Sequence, residues 1–122
     1  MPPVREPPSR TYTLSFEWDH WAPGQHDPDD GNSDVWVKLD DGREFVGSFF
    51  TLRNVATLME RWKASGECAD GAYFSAVDAI IVHRLDEPTV RLVVDDLLRD
   101  GTLETTLALC EPDDDDLEGP SA

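Results

Sequence analysis

Two histidines, His20 and His26, stand in a stretch crowded with carboxylates: Glu17, Asp19, Asp27, Asp29, Asp30 and Asp34. Imidazole and carboxylate are the groups that zinc and calcium take as ligands, so His20, His26 and Asp27 form a candidate metal set. The spacing fits neither ion's usual pattern. If Gly31 takes the sixth position of a calcium-binding EF-hand loop, the first position falls on His26, the third on Pro28 and the twelfth on Val37. The first, third and twelfth positions of that loop need oxygen ligands, and these residues offer none. No standard zinc spacing is present either. A metal-dependent domain or enzyme built on the His20/His26/Asp27 loop is therefore the alternative reading, and no cofactor is expected.

Cys68, Asp78 and His83 could in principle make a nucleophile, a base and an orienting acid. A thiolate nucleophile needs its base within hydrogen-bond reach, and no local motif brings these three together. The glycines fall at turns and helix ends, not in a phosphate-binding pattern. No catalytic residues are assigned, and the chain is expected not to be an enzyme.

Acids and tryptophans together suggest a different chemistry. Trp18 and Trp21 flank Asp19 and His20, and Trp36 alternates away from Val35 and Val37. Tryptophan is enriched where interfaces concentrate their binding energy, and surrounding carboxylates would steer a basic partner toward it. The bland alternative is that Trp18 belongs to a buried strand face and Trp36 packs under a helix. Trp21 lies past the strand and is the best candidate for an exposed anchor. The expected partner-binding set is Glu17, Asp19, Trp21, Asp27, Asp29, Asp30, Asp34 and Trp36.

The charge supports this. The chain of 122 residues carries a net charge of -16. Residues 17–34 hold six acids and no Lys or Arg, and residues 111–118 hold six more and none. Residues 35–110 hold thirteen acids against eight bases, so the body is only mildly acidic. Such a field repels phosphate backbones, so direct nucleic-acid binding is not expected and a basic protein partner is. Inhibitors, immunity proteins and nucleic-acid mimics work on this logic. A structural or assembly subunit kept dispersed by its charge is the duller possibility. The longest apolar run is Ala79–Val82, far short of the roughly 20 residues a membrane helix needs. No secretory signal is recognisable and the two cysteines make no disulfide framework, so a cytoplasmic location is expected.

The elements that must position these residues follow from periodicity. Residues 11–18 alternate with period two and read as a strand, with Tyr12, Leu14, Phe16 and Trp18 on one face. Residues 19–33 lose all periodicity and read as a long exposed loop. Strands at 35–39 and 44–50 flank Asp40-Asp41-Gly42-Arg43, a hairpin turn in which Asp-Gly supplies the positive φ. Gly47 is a candidate bulge. A helix over 52–65 has Leu52, Val55, Ala56, Leu58, Met59 and Trp62 on one face, Thr51 as cap and Gly66 as stop. Residues 67–71 read as a loop and 73–77 as a short strand or turn. The apolar strand at 79–85 is expected at the centre of the sheet, covered on both faces. Asp86 caps a second helix, whose apolar face is Val90, Val93, Val94, Leu97 and Leu98 and which Gly101 stops. Leu103 to Leu109 reads as a last strand. The order β-β-β-α-β-α-β predicts an α/β (α+β) domain over 10–110. Its sheet should be mixed and mostly antiparallel, with four to five strands and two packed helices. A flexible proline-rich arm is expected at 1–9 and a disordered acidic tail at 111–122.

Overall fold

The computed structural model describes residues 11–110, so the arm and the tail expected from the sequence lie outside the described residues. Its elements are β1 (Tyr12–Phe16), a 3-10 turn (Glu17–His20), β2 (Asn32–Leu39), β3 (Glu44–Thr51), α1 (Leu52–Ser65), α2 (Glu67–Gly71), β4 (Ala79–Val82), α3 (Glu87–Asp100), α4 (Leu103–Thr106) and β5 (Ala108–Leu109). The sheet is mixed. β1, β2 and β3 form an antiparallel meander, β4 lies parallel beside Ser48–Thr51 of β3, and β5 lies antiparallel beside Phe45 and Val46. Because β2 occupies the other side of β3, the short strands β4 and β5 share one edge of it.

The hairpin forms as Asp-Gly predicts: Gly42 sits at φ +93° and its N–H donates to Leu39 O. Strand alternation then sorts the sheet into two faces. Ser33, Val35, Val37 and Leu39 of β2 and Phe45, Phe49 and Thr51 of β3 are buried on one face. Val90 and Val94 of α3 join the same core, with Leu85, Leu103 and Leu107 closing it. Each fully buried Val, Leu or Phe side chain of this core is worth roughly 1.5–3 kcal/mol. The opposite face carries a row of Ser15, Trp36, Val46 and Ala108 across four strands, and another of Asn32, Phe50 and Ile81.

Both long helices start and stop where the sequence places their caps. Thr51 Oγ1 accepts from Asn54 N–H, and Gly66 ends α1 at φ +86°. Asp86 accepts from Thr89 N–H, and Gly101 ends α3 at φ +71°. That bond holds the Asp86 carboxyl below its ordinary range. α1 differs from its expected role, however. Its only buried residue is Asn54, Leu52 is exposed, and none of its apolar side chains joins the core. Instead Trp62 stacks on Phe74, which meets Phe50 of β3 edge-on.

Several boundaries also differ. β1 ends at Phe16, because the Asp19 carboxylate accepts the Phe16 N–H and turns the chain into the 3-10 segment. β2 begins earlier than Val35, since Asn32, Ser33 and Asp34 pair with Phe50, Phe49 and Ser48. The last strand shortens to Ala108–Leu109: Leu103 and Leu107 are both buried, and a helical turn with Leu107 N–H on Leu103 O places them on one side. The alternation from Leu103 to Leu109 reads as a strand, but a spacing of four residues suits a helical turn equally well, and the turn is what forms over Leu103–Thr106. Gly47 marks a close approach and not a bulge, for the ladder to β2 runs through it, and a Cβ there would lie 2.5 Å from Leu107 Cδ2. β4 stands at an edge, not at the centre, and Ile81 points to the open face at 44 % exposure.

Residues 67–71 form a left-handed turn. Cys68, Ala69 and Asp70 have φ of 49°, 54° and 62°, between Gly66 and Gly71, which are also positive. Ala72 N–H closes the turn on Cys68 O. This reversal returns the chain along α1 and brings Phe74 onto Trp62.

Tyr12 ties α3 to β1. Its hydroxyl donates to Asp95 Oδ1 at 2.6 Å, and the Arg91 guanidinium lies over its ring. Burial, helped by the bond to the Asp95 carboxylate and its charge, pushes the Tyr12 phenol from 10.0 up to about 12. Folding therefore binds this proton more tightly, and the stability it adds is complete below pH 10 and is lost as the pH rises through about 12. The melting temperature of the native chain should fall across that window more steeply than that of Tyr12→Phe, which has no proton to lose there. Parallel profiles would remove the linkage.

Candidate functional site

The stretch from Glu17 to Asp34 is far more ordered than a loop of that composition suggests. Three rings stack in series: Phe16 on Trp18 with centroids 4.2 Å apart, and Trp18 on His26 at 4.0 Å, both nearly parallel. Trp21 tilts against the same imidazole at 6.1 Å. His26 Nε2 lies 2.7 Å from Leu85 O. A carbonyl accepts only, so Nε2 carries the proton. Nδ1 is buried without a hydrogen-bond partner among the described residues. His26 is thus a clasp that joins the loop to the segment before α3. Leu85 N–H adds a second tie by donating to Pro28 O at 2.7 Å.

Each acid of the expected docking set accepts a hydrogen bond within the chain. Glu17 receives Asp34 N–H, while its own N–H reaches Ser33 Oγ. Asp19 receives Phe16 N–H, and Asp27 receives Asp29 N–H. Asp29 pairs with Arg84 at 2.7 Å, and Arg84 also holds Asp86. Asp30 receives Asn54 Nδ2 and Thr57 Oγ1, both at 3.0 Å. The Asn54 bond is the main reason that its carboxyl lies below the usual range. Asp34 receives the Ser48 hydroxyl. These bonds use one or two lone pairs of each carboxylate and orient the rest. Asp19, Asp27 and Asp29 remain exposed.

The tryptophans occupy three different settings. Trp18 is partly buried against the core, as its strand alternation implied, although it sits in the 3-10 turn. Trp21 is half-buried beside His26, and so less free than an isolated anchor. Trp36 is half-buried on the open sheet face, between Ser15 and Val46, on the same side of β2 as Asp34. Among the described residues no group of three or more His, Cys, Asp and Glu side chains is placed to hold a metal ion. Cys68 lies in the left-handed turn, Asp78 precedes β4, and His83 follows it beside a groove that Asp29, Leu52, Arg53 and Ala56 also line.

The partners that hold the loop were not singled out in the sequence. Arg84, Asn54, Thr57 and the Leu85 carbonyl all lie distant in the chain from the groups they bind. Only Thr51 carried a local signal, as a helix cap. No helix among the described residues is long and apolar enough to cross a membrane. No family model, curated protein or solved structure matches the chain.

Proposed function

We propose that the protein is a small acidic binding module that occupies a basic surface on a partner protein, in the manner of an inhibitor, an immunity protein or a nucleic-acid mimic. The observation that carries this reading is the preorganised acidic loop. Residues 17–34 hold six carboxylates and no Lys or Arg. Hydrogen bonds and the His26 clasp hold the segment while Asp19, Asp27 and Asp29 stay exposed. Carboxylates fixed before binding lose little entropy on contact, which favours affinity. Their field accelerates the encounter with a basic surface. Asp19 and Asp27 are the cleanest probes, because asparagine keeps the oxygen that accepts Phe16 N–H or Asp29 N–H while removing the charge.

A partner captured at low salt from the native cell and then purified provides the assay. The double variant Asp19→Asn/Asp27→Asn is expected to slow association on the order of threefold to tenfold at low salt and to flatten its salt dependence. Dissociation should change less. An association rate that ignores both the substitutions and the salt would rule out electrostatic docking through this loop.

A further inference from the structure

β4 is an edge strand with an unusual surface. Ser48 N–H donates to Asp78 O, and the parallel register places Ala79 beside Ser48 and Ile81 beside Phe50. In a parallel ladder successive peptide groups turn to alternate sides. Those of Asp78, Ile80 and Val82 therefore face β3, and those of Ala79 and Ile81 face away from it. Among the described residues no strand pairs with that outer side. An open edge is a template for a further strand, and edges are commonly blunted by lysine, proline or a bulge. The strand Ala79–Val82 has none of these.

The side chains around this edge are apolar and exposed. Val77 is 81 % exposed, Tyr73 53 % and Ile81 44 %. Ile81 shares its face with Phe50, which is braced by Phe74 and through it by Trp62. Residues 64–82 contain Glu67, Asp70 and Asp78 and no Lys or Arg, and the cations that flank them, Lys63 and Arg84, are each paired with carboxylates. The opposite edge of the sheet differs, since β1 exposes Thr13 and Ser15 there and offers little apolar purchase.

We propose that the outer edge of β4 receives an extended basic segment of the partner as an added strand, with apolar side chains resting on Ile81 and Val77 and Lys or Arg facing the nearby acids. Backbone hydrogen bonds supply the affinity of such an addition and alternate side chains its selectivity. A second copy of the chain is a poorer occupant, because two bodies of net charge -16 repel each other. This inference rests on the reading of the chain as a binder of basic partners, and it assigns a second contact to that partner, apart from the acidic loop.

The probe is a short synthetic peptide alternating lysine and valine, with a glutamate–valine peptide as control. Amide exchange in the full chain locates the contact. The lysine peptide is expected to slow exchange at Ala79 and Ile81 by about tenfold or more, as a new strand would, and the control should not. Ile81→Pro should abolish that protection at Ala79, because proline is tolerated where an edge N–H faces outward but offers no donor. If Ile81→Pro fails to fold, Val77→Lys serves instead, since it sets a like charge beside the peptide, and should weaken binding at least about tenfold. Binding confined to the loop at 17–34 would overturn the edge assignment and leave the acidic reading standing. Equal indifference to both peptides would count against both. Protection at Ala79 and Ile81 that grows with protein concentration alone would give the edge to a second copy and overturn the proposal.

Discussion

Gly71→Ala is expected to destabilise the fold by about 3 kcal/mol or more, whereas Ala69→Gly, two positions earlier in the same turn, should stabilise it by up to about 1 kcal/mol. Both residues have positive φ, +82° at Gly71 and +54° at Ala69. A Cβ in that region collides with the following carbonyl, at a cost of roughly 1–2 kcal/mol per residue. Ala69 already bears this cost, and glycine relieves it. The gain is reduced because glycine also frees the unfolded chain. Gly71 has a second constraint. A Cβ there would overlap the carbonyl oxygen of Met59 and lie 3.1 Å from its carbon and 3.3 Å from Lys63 N, all of them backbone atoms of α1. A helix backbone cannot swing aside like the end of a side chain, so α1 or the turn must shift. Urea denaturation of the two variants checks the opposite signs. Equal effects would mean that the turn is not left-handed in solution.

His26→Ala is expected to destabilise by about 2–4 kcal/mol and to change the emission of the tryptophans. Two losses contribute. Removing the ring ends the stack on Trp18, worth about 0.5–1.5 kcal/mol beyond its area. It also leaves the Leu85 carbonyl, next to a fully buried side chain, without its donor, at about 1–3 kcal/mol. Two further variants separate these losses. His26→Phe keeps the ring and loses the donor, while His26→Gln keeps a donor and loses the ring. Each should fall between the native chain and alanine in chemical denaturation. If His26→Ala were as stable as the native chain, the loop would not be clasped to the segment before α3. The preorganisation behind the proposed docking would then lose its basis.

Much of this fold is legible in the sequence because its signals are local. Asp41-Gly42 sets the hairpin, Thr51 and Asp86 cap the helices, and Gly66 and Gly101 end them. What the sequence conceals depends on contacts between distant residues. The acids of the early loop read as a solvated run, yet Asp30 meets Asn54 and Thr57, and Asp29 meets Arg84. A carboxylate looks the same in a sequence whether it faces water or caps a neighbouring element. The run Ile80-Ile81-Val82 suggested burial on both faces, because apolar type does not reveal which side of a strand is covered. The left-handed turn had no signal beyond its flanking glycines, since Cys68, Ala69 and Asp70 are not residues that favour it as a group.

Thr51 is fully buried and belongs to three parts of the molecule at once. It is the last residue of β3 and the cap of α1, its N–H donates to Gly31 O, and its hydroxyl accepts from Gly31 N–H. The two reciprocal bonds to Gly31 make a rivet between the acidic loop and the start of the helix. A partner docked on the loop as proposed would therefore load the first turn of α1 directly, and with it Asn54, which reaches back to Asp30. If the proposed docking holds, exchange at the Thr51 amide would serve as a built-in gauge of occupancy at the loop, readable from inside the protein without a label on its surface.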